Sequence, residues 1–230
     1  MGGMHGKRGA AARIGALAAK DLGRLGSFIA MAVLMNLYFV LTRDHLDTAA
    51  VLLMSGWIFA VGVGPAVGIE SNEARYGGYF LLLSLPVRRR EILLSRLMPV
   101  LSLAAAYALS VWVYFGASSP DPALTALARK WLVFNLSAYL VLIGAVYLVR
   151  YRYGYGPAVF IKLAVMVLAF VLPVLLNEVI IRRSVLPGGL LDAIEGCSAA
   201  SCAAWLAVSI AAGAALAAAA IRAFEREARE

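Results

Sequence analysis

Two long apolar runs without a single charge constrain this chain most: residues 48–69 and 97–120, which are 22 and 24 residues long. A bilayer core about 30 Å thick takes ~20 helical residues to cross, so each run is long enough to span it. Between them lies the segment 70–96, ESNEARYGGYFLLLSLPVRRREILLSR. It carries five of the 21 basic residues: Arg75, Arg88, Arg89, Arg90 and Arg96. A polar segment flanked this way is held at a membrane surface by two spans. The chain is 63% hydrophobic and 15% charged, with a mean hydropathy of +0.84, more apolar than a soluble domain needs. The expectation is an all-α polytopic membrane protein. Its 230 residues leave room for one transmembrane domain, since no segment outside the spans is long enough for a core of its own.

Apolar runs place six spans near 25–42, 48–69, 97–118, 131–149, 157–181 and 198–221, with an N-terminal segment 1–24 and a tail 222–230. With the N-terminus inside, sixteen of the 21 Lys and Arg fall on inner segments and five on outer ones. Positive residues stay on the cytoplasmic side, so both termini and the 70–96 segment are expected there. The fifth span is the least regular. Lys162 and Glu178 lie near its ends, and Pro173 should kink it; a re-entrant segment is the alternative. Glu178 is expected to pair with Arg182 one turn later, with a role in an outer gate as the runner-up. The first apolar run has no small-residue cleavage site after it, so no signal peptide is expected.

The 70–96 segment has internal order. Tyr76, Tyr79, Phe80 and Leu83 recur at helical spacing on one face. Asn72 suits an N-cap and Glu73 the first turn, where the helix dipole favours a carboxylate. Pro86 should stop this helix and start a second, basic one over 87–96 that runs into the next span. Glu70 and Glu73 can pair with Arg75 or with the Arg88–Arg90 cluster. Two readings remain open: an ordinary charged loop facing lipid headgroups, or a docking surface for another protein.

The runs Glu70-Ser-Asn-Glu-Ala-Arg and Tyr79-Phe-Leu-Leu-Leu-Ser-Leu-Pro-Val-Arg-Arg-Arg-Glu-Ile resemble the loop between the second and third spans of exporter-type ABC permeases. In that family the loop is a coupling helix that docks on a separate ATPase subunit. A second run, Tyr147-Leu-Val-Arg-Tyr-Arg-Tyr-Gly-Tyr, is similar to the family's loop between spans four and five. The pair Gly77-Gly78 departs from a continuous helix, each glycine costing ~1 kcal/mol relative to Ala. The resemblance implies that Glu70, Glu73, Arg75, Tyr76, Tyr79, Phe80, Leu83, Pro86, Arg88 and Arg89 couple to an ATPase. It implies that Arg150, Arg152, Tyr153 and Gly154 form a second cytoplasmic loop. It further implies a second copy or a related permease as partner, in a bacterial or archaeal plasma membrane.

Elsewhere the signals are weaker. Residues 1–10 are Gly-rich and expected to be disordered. Residues 13–25 read as an interfacial helix, with Arg13, Lys20 and Arg24 toward lipid phosphates and Ile14, Leu17, Ala18, Leu22 and Leu25 on a neighbouring apolar face. Asp21 breaks that pattern. Gly56, Ala60, Gly64 and Gly68 form a small-residue ridge that lets another helix approach, within the chain in preference to across a dimer. The sixth span is Ala-rich on all sides, as suits a tightly surrounded or structurally plain helix. Asn36 and Tyr38, Tyr107, Ser110 and Tyr114, and Asn135 and Tyr139 put polar groups at membrane depth. Helix–helix hydrogen bonds are the favoured reading; contact with a passing substrate, chiefly by Asn36, Tyr107, Ser110 and Tyr114, is the alternative. The Tyr/Arg mixture at 150–157 fits an interfacial belt better than RNA binding. Cys197 and Cys202 are too far apart on one helix for a disulfide; an irregular segment in an oxidising space would allow one.

The formal charge of +8 is spread over membrane-flanking segments, which favours anionic lipid over nucleic acid. The chain has no Gly-x-x-x-x-Gly-Lys-Ser/Thr run, no metal-spaced His/Cys/Asp cluster and no Ser/His/Asp set. These absences leave no visible catalytic chemistry on the chain, and the resemblance implies a non-enzymatic permease of an ABC exporter, without a cofactor, whose ATP and Mg sit on the partner ATPase. The competing readings are a heme-export or cytochrome-assembly permease, a membrane immunity or sensor component that binds a peptide, and an ion-coupled carrier.

Overall fold

A computed structural model of the chain describes residues 3–23, 25–41, 87–118, 122–154 and 196–226, together with parts of 57–69 and 156–164. All regular structure among them is helical. The helices are α1 (Gly3–Gly23), α2 (Gly26–Leu41), α3 (Arg89–Ser118), α4 (Pro122–Tyr153) and α5 (Ala199–Arg226).

Helix α1 begins ten residues before the expected start, so residues 3–10 are helical where disorder was expected. Ala10, Ala11 and Ala12 are the strongest helix formers, and extending an existing helix requires no new nucleation. The glycines at 6 and 9 are carried along. Its buried side is Ile14, Leu17, Ala18 and Asp21, with Leu25 just beyond the helix; Leu22 points out instead. Asp21 does sit among the apolar positions. It is buried, with Lys20 Nζ 3.6 Å away. This face lies against α3.

Helix α2 is 16 residues, about 24 Å long, shorter than a bilayer core. The first expected span is thus a helix, but a short one. Ile29, Val33, Leu34, Leu37 and Leu41 stay exposed on it. Phe28 packs into the small-residue ridge: a Cβ added at Gly64 would stand 2.7 Å from its ring, and one at Gly68 3.4 Å. The ridge therefore serves packing within the chain, as expected, for the two members described. Gly56 and Ala60 lie outside the described residues.

Three helices among the described residues are long and apolar enough to cross a membrane: Arg89–Ala117, Thr125–Tyr153 and Ala199–Arg226. They correspond to the expected spans at 97–118, 131–149 and 198–221, and all are longer. Hydropathy marks where the solvent changes, whereas the backbone ladder continues until a residue stops it. Pro122 suits the first turn of α4, where its missing N–H costs nothing. Gly154, at φ +92°, ends α4 in the left-handed region, and its N–H caps the Arg150 carbonyl at 3.1 Å. Ser198 caps α5, accepting the Ser201 N–H at 3.1 Å. The second expected span is described only in part and the fifth only at its start. Lys162, Pro173, Glu178 and Arg182 lie outside the described residues.

The spans pack in a definite order. Thr125 Oγ1 donates to the Phe115 carbonyl, Tyr139 hydroxyl to the Val100 carbonyl, and Arg96 to Tyr151. As α4 numbers rise α3 numbers fall, so the two are antiparallel. Between α4 and α5, Gly144 meets Gly213 and Tyr151 meets Phe224, so these two run parallel. At the glycine contact, an added Cβ on Gly213 would stand 2.6 Å from the Leu140 carbonyl oxygen. Only backbones without side chains approach so closely. Helix α5 shows one buried stripe, Ser209, Gly213, Ala220 and Phe224, and leaves most other positions exposed. It is a peripheral helix among the described residues, not a surrounded one. The two cysteines are free.

Candidate functional site

The head of α3 and the tails of α4 and α5 meet at one end of the bundle. Arg96, fully buried, donates from Nη1 to the Tyr151 hydroxyl at 2.9 Å. The Tyr151 ring stacks on Phe224 at 4.4 Å and 26°, and on Tyr147 at 6.3 Å and 12°. About two turns earlier on α3, Arg89 Nη1 donates to the Phe224 carbonyl at 2.8 Å, and its guanidinium lies 5.0 Å over the Phe224 ring. That carbonyl belongs to the last turn of α5, which has no acceptor-satisfying partner of its own, and the negative helix end favours a cation. Two arginines two turns apart at the head of α3 thus hold the ends of two other helices.

Glu91 adds a third attachment. Its Oε2 accepts from the Arg88 backbone N–H at 3.3 Å, while the Glu91 N–H donates to the Arg88 carbonyl at 2.8 Å. Arg88 is therefore the N-cap of α3, and Glu91 supplies the return half of a capping box. The same carboxylate accepts two bonds from Arg13 of α1, each 3.1 Å, in a bidentate pair. The Glu91 side chain is 4% exposed and that of Arg13 44%. The hydrogen bond to Glu91 holds the Arg13 guanidinium above its ordinary proton affinity. Arg13 was expected to face lipid phosphates; it is turned onto this carboxylate instead, because the buried Glu91 offers a fixed, desolvated partner.

Of the expected coupling residues, Arg88 and Arg89 are both in this cluster. Glu70, Glu73, Arg75, Tyr76, Tyr79, Phe80, Leu83 and Pro86 lie outside the described residues. The basic helix expected over 87–96 begins two residues later, at Arg89, and from there runs unbroken into the span. The second loop is corrected. Arg150, Arg152 and Tyr153 belong to the last turn of α4, and Gly154 is the residue that ends it. A helix of 32 residues, about 48 Å, reaches well beyond the apolar core before it needs to stop. Arg150 lies 5.9 Å over the Tyr151 ring and Arg152 5.5 Å over Tyr153.

The polar residues at membrane depth are partly joined. Ser110 donates to Asn36 Oδ1 at 3.0 Å, with the Tyr107 carbonyl 2.7 Å away, and Asn36 Nδ2 donates to the Ala32 carbonyl at 2.8 Å. This ties α3 to α2. Tyr107 and Tyr114 are buried, the latter edge-on to Phe115 at 5.5 Å. The geometry favours helix–helix bonding for Asn36 and Ser110.

Glu91, Arg96, Tyr151 and Phe224 are not among the site residues that the sequence suggests. Glu91 had a readable signal, standing three residues after a position already flagged. Nothing local marks Arg89 and Phe224, which are 135 residues apart. The site has no nucleophile set beside a base; what it can do is hold three helix ends and an interfacial helix as one body.

The chain matches the family model described as ABC-2 family transporter protein over residues 16–217. Neither the curated proteins nor the solved structures gave a significant match. With its membrane-length apolar helices and a match over most of its length, the chain belongs to the ABC-2 family of ABC-transporter permeases.

Proposed function

We propose that this permease is the membrane subunit of an ABC exporter, driven by a separate ATPase subunit that holds the ATP and Mg. It has no catalytic group or cofactor of its own. Two copies, or one copy and a related permease, form the pathway. The six expected spans cross a bacterial or archaeal plasma membrane with both termini cytoplasmic. The substrate is an amphiphile: drug-like, peptide or lipid-linked.

One observation carries this reading. The head of α3 directly follows the 70–86 segment and is fastened to α1 through Glu91, to α4 through Arg96 and to α5 through Arg89. A displacement delivered at the coupling segment would enter four helices together. Switching between inward- and outward-open states needs ATPase contacts that differ between the two. Rigid attachment at the point of entry lets small contact changes move whole spans.

The test is co-expression with a candidate ABC ATPase subunit from the same organism and reconstitution of the pair in liposomes. ATP hydrolysis sensitive to vanadate and dependent on both chains is expected, and Tyr79→Asp should reduce co-purification. A chain that moves substrate with no ATPase present, or that never retains one, sinks the proposal.

A further inference from the structure

The tails of α4 and α5 border a groove of about 500 Å³, open on one side. Arg152 of α4 and Arg222 and Arg226 of α5 line it, above apolar walls from Leu148, Ala219 and Ala223. Arg222 and Arg226 are one turn apart on one helix face, a spacing at which like charges repel. Among the described residues no carboxylate pairs with any of the three guanidinium groups. Glu225, on the same turn, does not line the groove. Three like charges converging on one concave surface call for an anion. A guanidinium fork matches phosphate oxygens two at a time.

The apolar walls narrow the choice. They continue along α4 and α5 into helices whose bodies are membrane-length, and α5 leaves Val208 and Ile210 exposed. Basic pockets between spans at this depth are suited to headgroups. We infer that the groove holds the phosphate of an anionic phospholipid, with its acyl chains along the exposed apolar faces of α4 and α5. This rests on the chain crossing a bilayer and is independent of the ATPase partner. Bound lipid would clamp the two helix tails at the end where Arg89 grips Phe224.

Native mass spectrometry of the full chain in detergent tests it, with phosphatidylglycerol, phosphatidylcholine and inorganic phosphate as probes. Phosphatidylcholine has the same phosphate but balances it with its own cation. Wild type should retain phosphatidylglycerol preferentially. Arg222→Gln/Arg226→Gln should lower that retention by roughly tenfold or more. Ala219→Trp fills the groove with all charges intact and should lower it as well, which decides the matter if the double variant does not fold. Lys130→Gln, at the other end of α4, should leave retention unchanged. Equal retention by wild type and the groove variants overturns the inference. So does displacement of the lipid by millimolar inorganic phosphate, which would make this a site for the free ion. Loss of ATPase co-purification in the arginine variant, with no lipid retained by wild type, would assign the groove to an acidic protein surface and overturn it too.

Discussion

Tyr151→Phe removes one hydroxyl from the junction and leaves its ring stack on Phe224 and Tyr147 in place. The lost interaction is the bond from the buried Arg96 guanidinium. Hydrogen bonds to charged groups contribute about 1.5–3 kcal/mol in soluble proteins. Helix–helix hydrogen bonds in membranes run lower, ~0.6 kcal/mol on average and ~1.7 at most. Burial of both partners and the full charge on Arg96 place this bond near the upper membrane value, about 1.5 kcal/mol. That corresponds to roughly a tenfold shift in the local opening equilibrium. Hydrogen exchange on the full chain in nanodiscs should show about tenfold faster exchange at the head of α3 and the last turns of α4. The contact between Gly144 and Gly213 should keep its protection. In an Arg96→Met background, Tyr151→Phe should have little further effect. An equal effect in both backgrounds, or no change in exchange at the α3 head, would refute the argument.

Three further outcomes follow from the same geometry. Glu91→Gln keeps the reach-back to the Arg88 N–H but weakens the Arg13 pair, so α1 should become more accessible to protease while α3 stays helical; Glu91→Ala should loosen both, and unchanged α1 protection in both variants would count against the pair. Gly213→Val places side-chain atoms against the Leu140 backbone and should cost about 1–3 kcal/mol, read as a lower thermal midpoint in detergent. Ser110→Ala breaks the bond to Asn36 and should cost ~0.6 kcal/mol while leaving transport by the reconstituted complex intact; a selective transport defect at unchanged stability would move Ser110 to the substrate path.

The bodies of α3, α4 and α5 were legible because an apolar run of membrane length has few alternatives. Their ends were not. Arg129 and Lys130, which precede the expected span at 131–149, and Arg150 and Arg152, expected in a loop, are all helical, because charge does not end a helix and Pro122 and Gly154 mark the true limits. The site was half legible. Arg88 and Arg89 stood out as part of a basic cluster, yet their partners are the Glu91 carboxylate in the first turn of α3 and a carbonyl at the far end of the chain. Long-range pairing leaves no trace in local spacing. Asp21 shows the converse: it looked like a flaw in an amphipathic face and is in fact a buried member of that face beside Lys20.

The proposed coupling requires the head of α3 to lie at the cytoplasmic surface beneath the ATPase. Arg90 is exposed there, next to Arg89, and offers a reporter site. The measurement is maleimide labelling of Arg90→Cys in a chain carrying Cys197→Ser and Cys202→Ser, in intact cells and in inverted vesicles, with and without the ATPase. Labelling is expected only in inverted vesicles, with protection when the ATPase is present. Labelling in intact cells by a membrane-impermeant reagent would contradict that coupling.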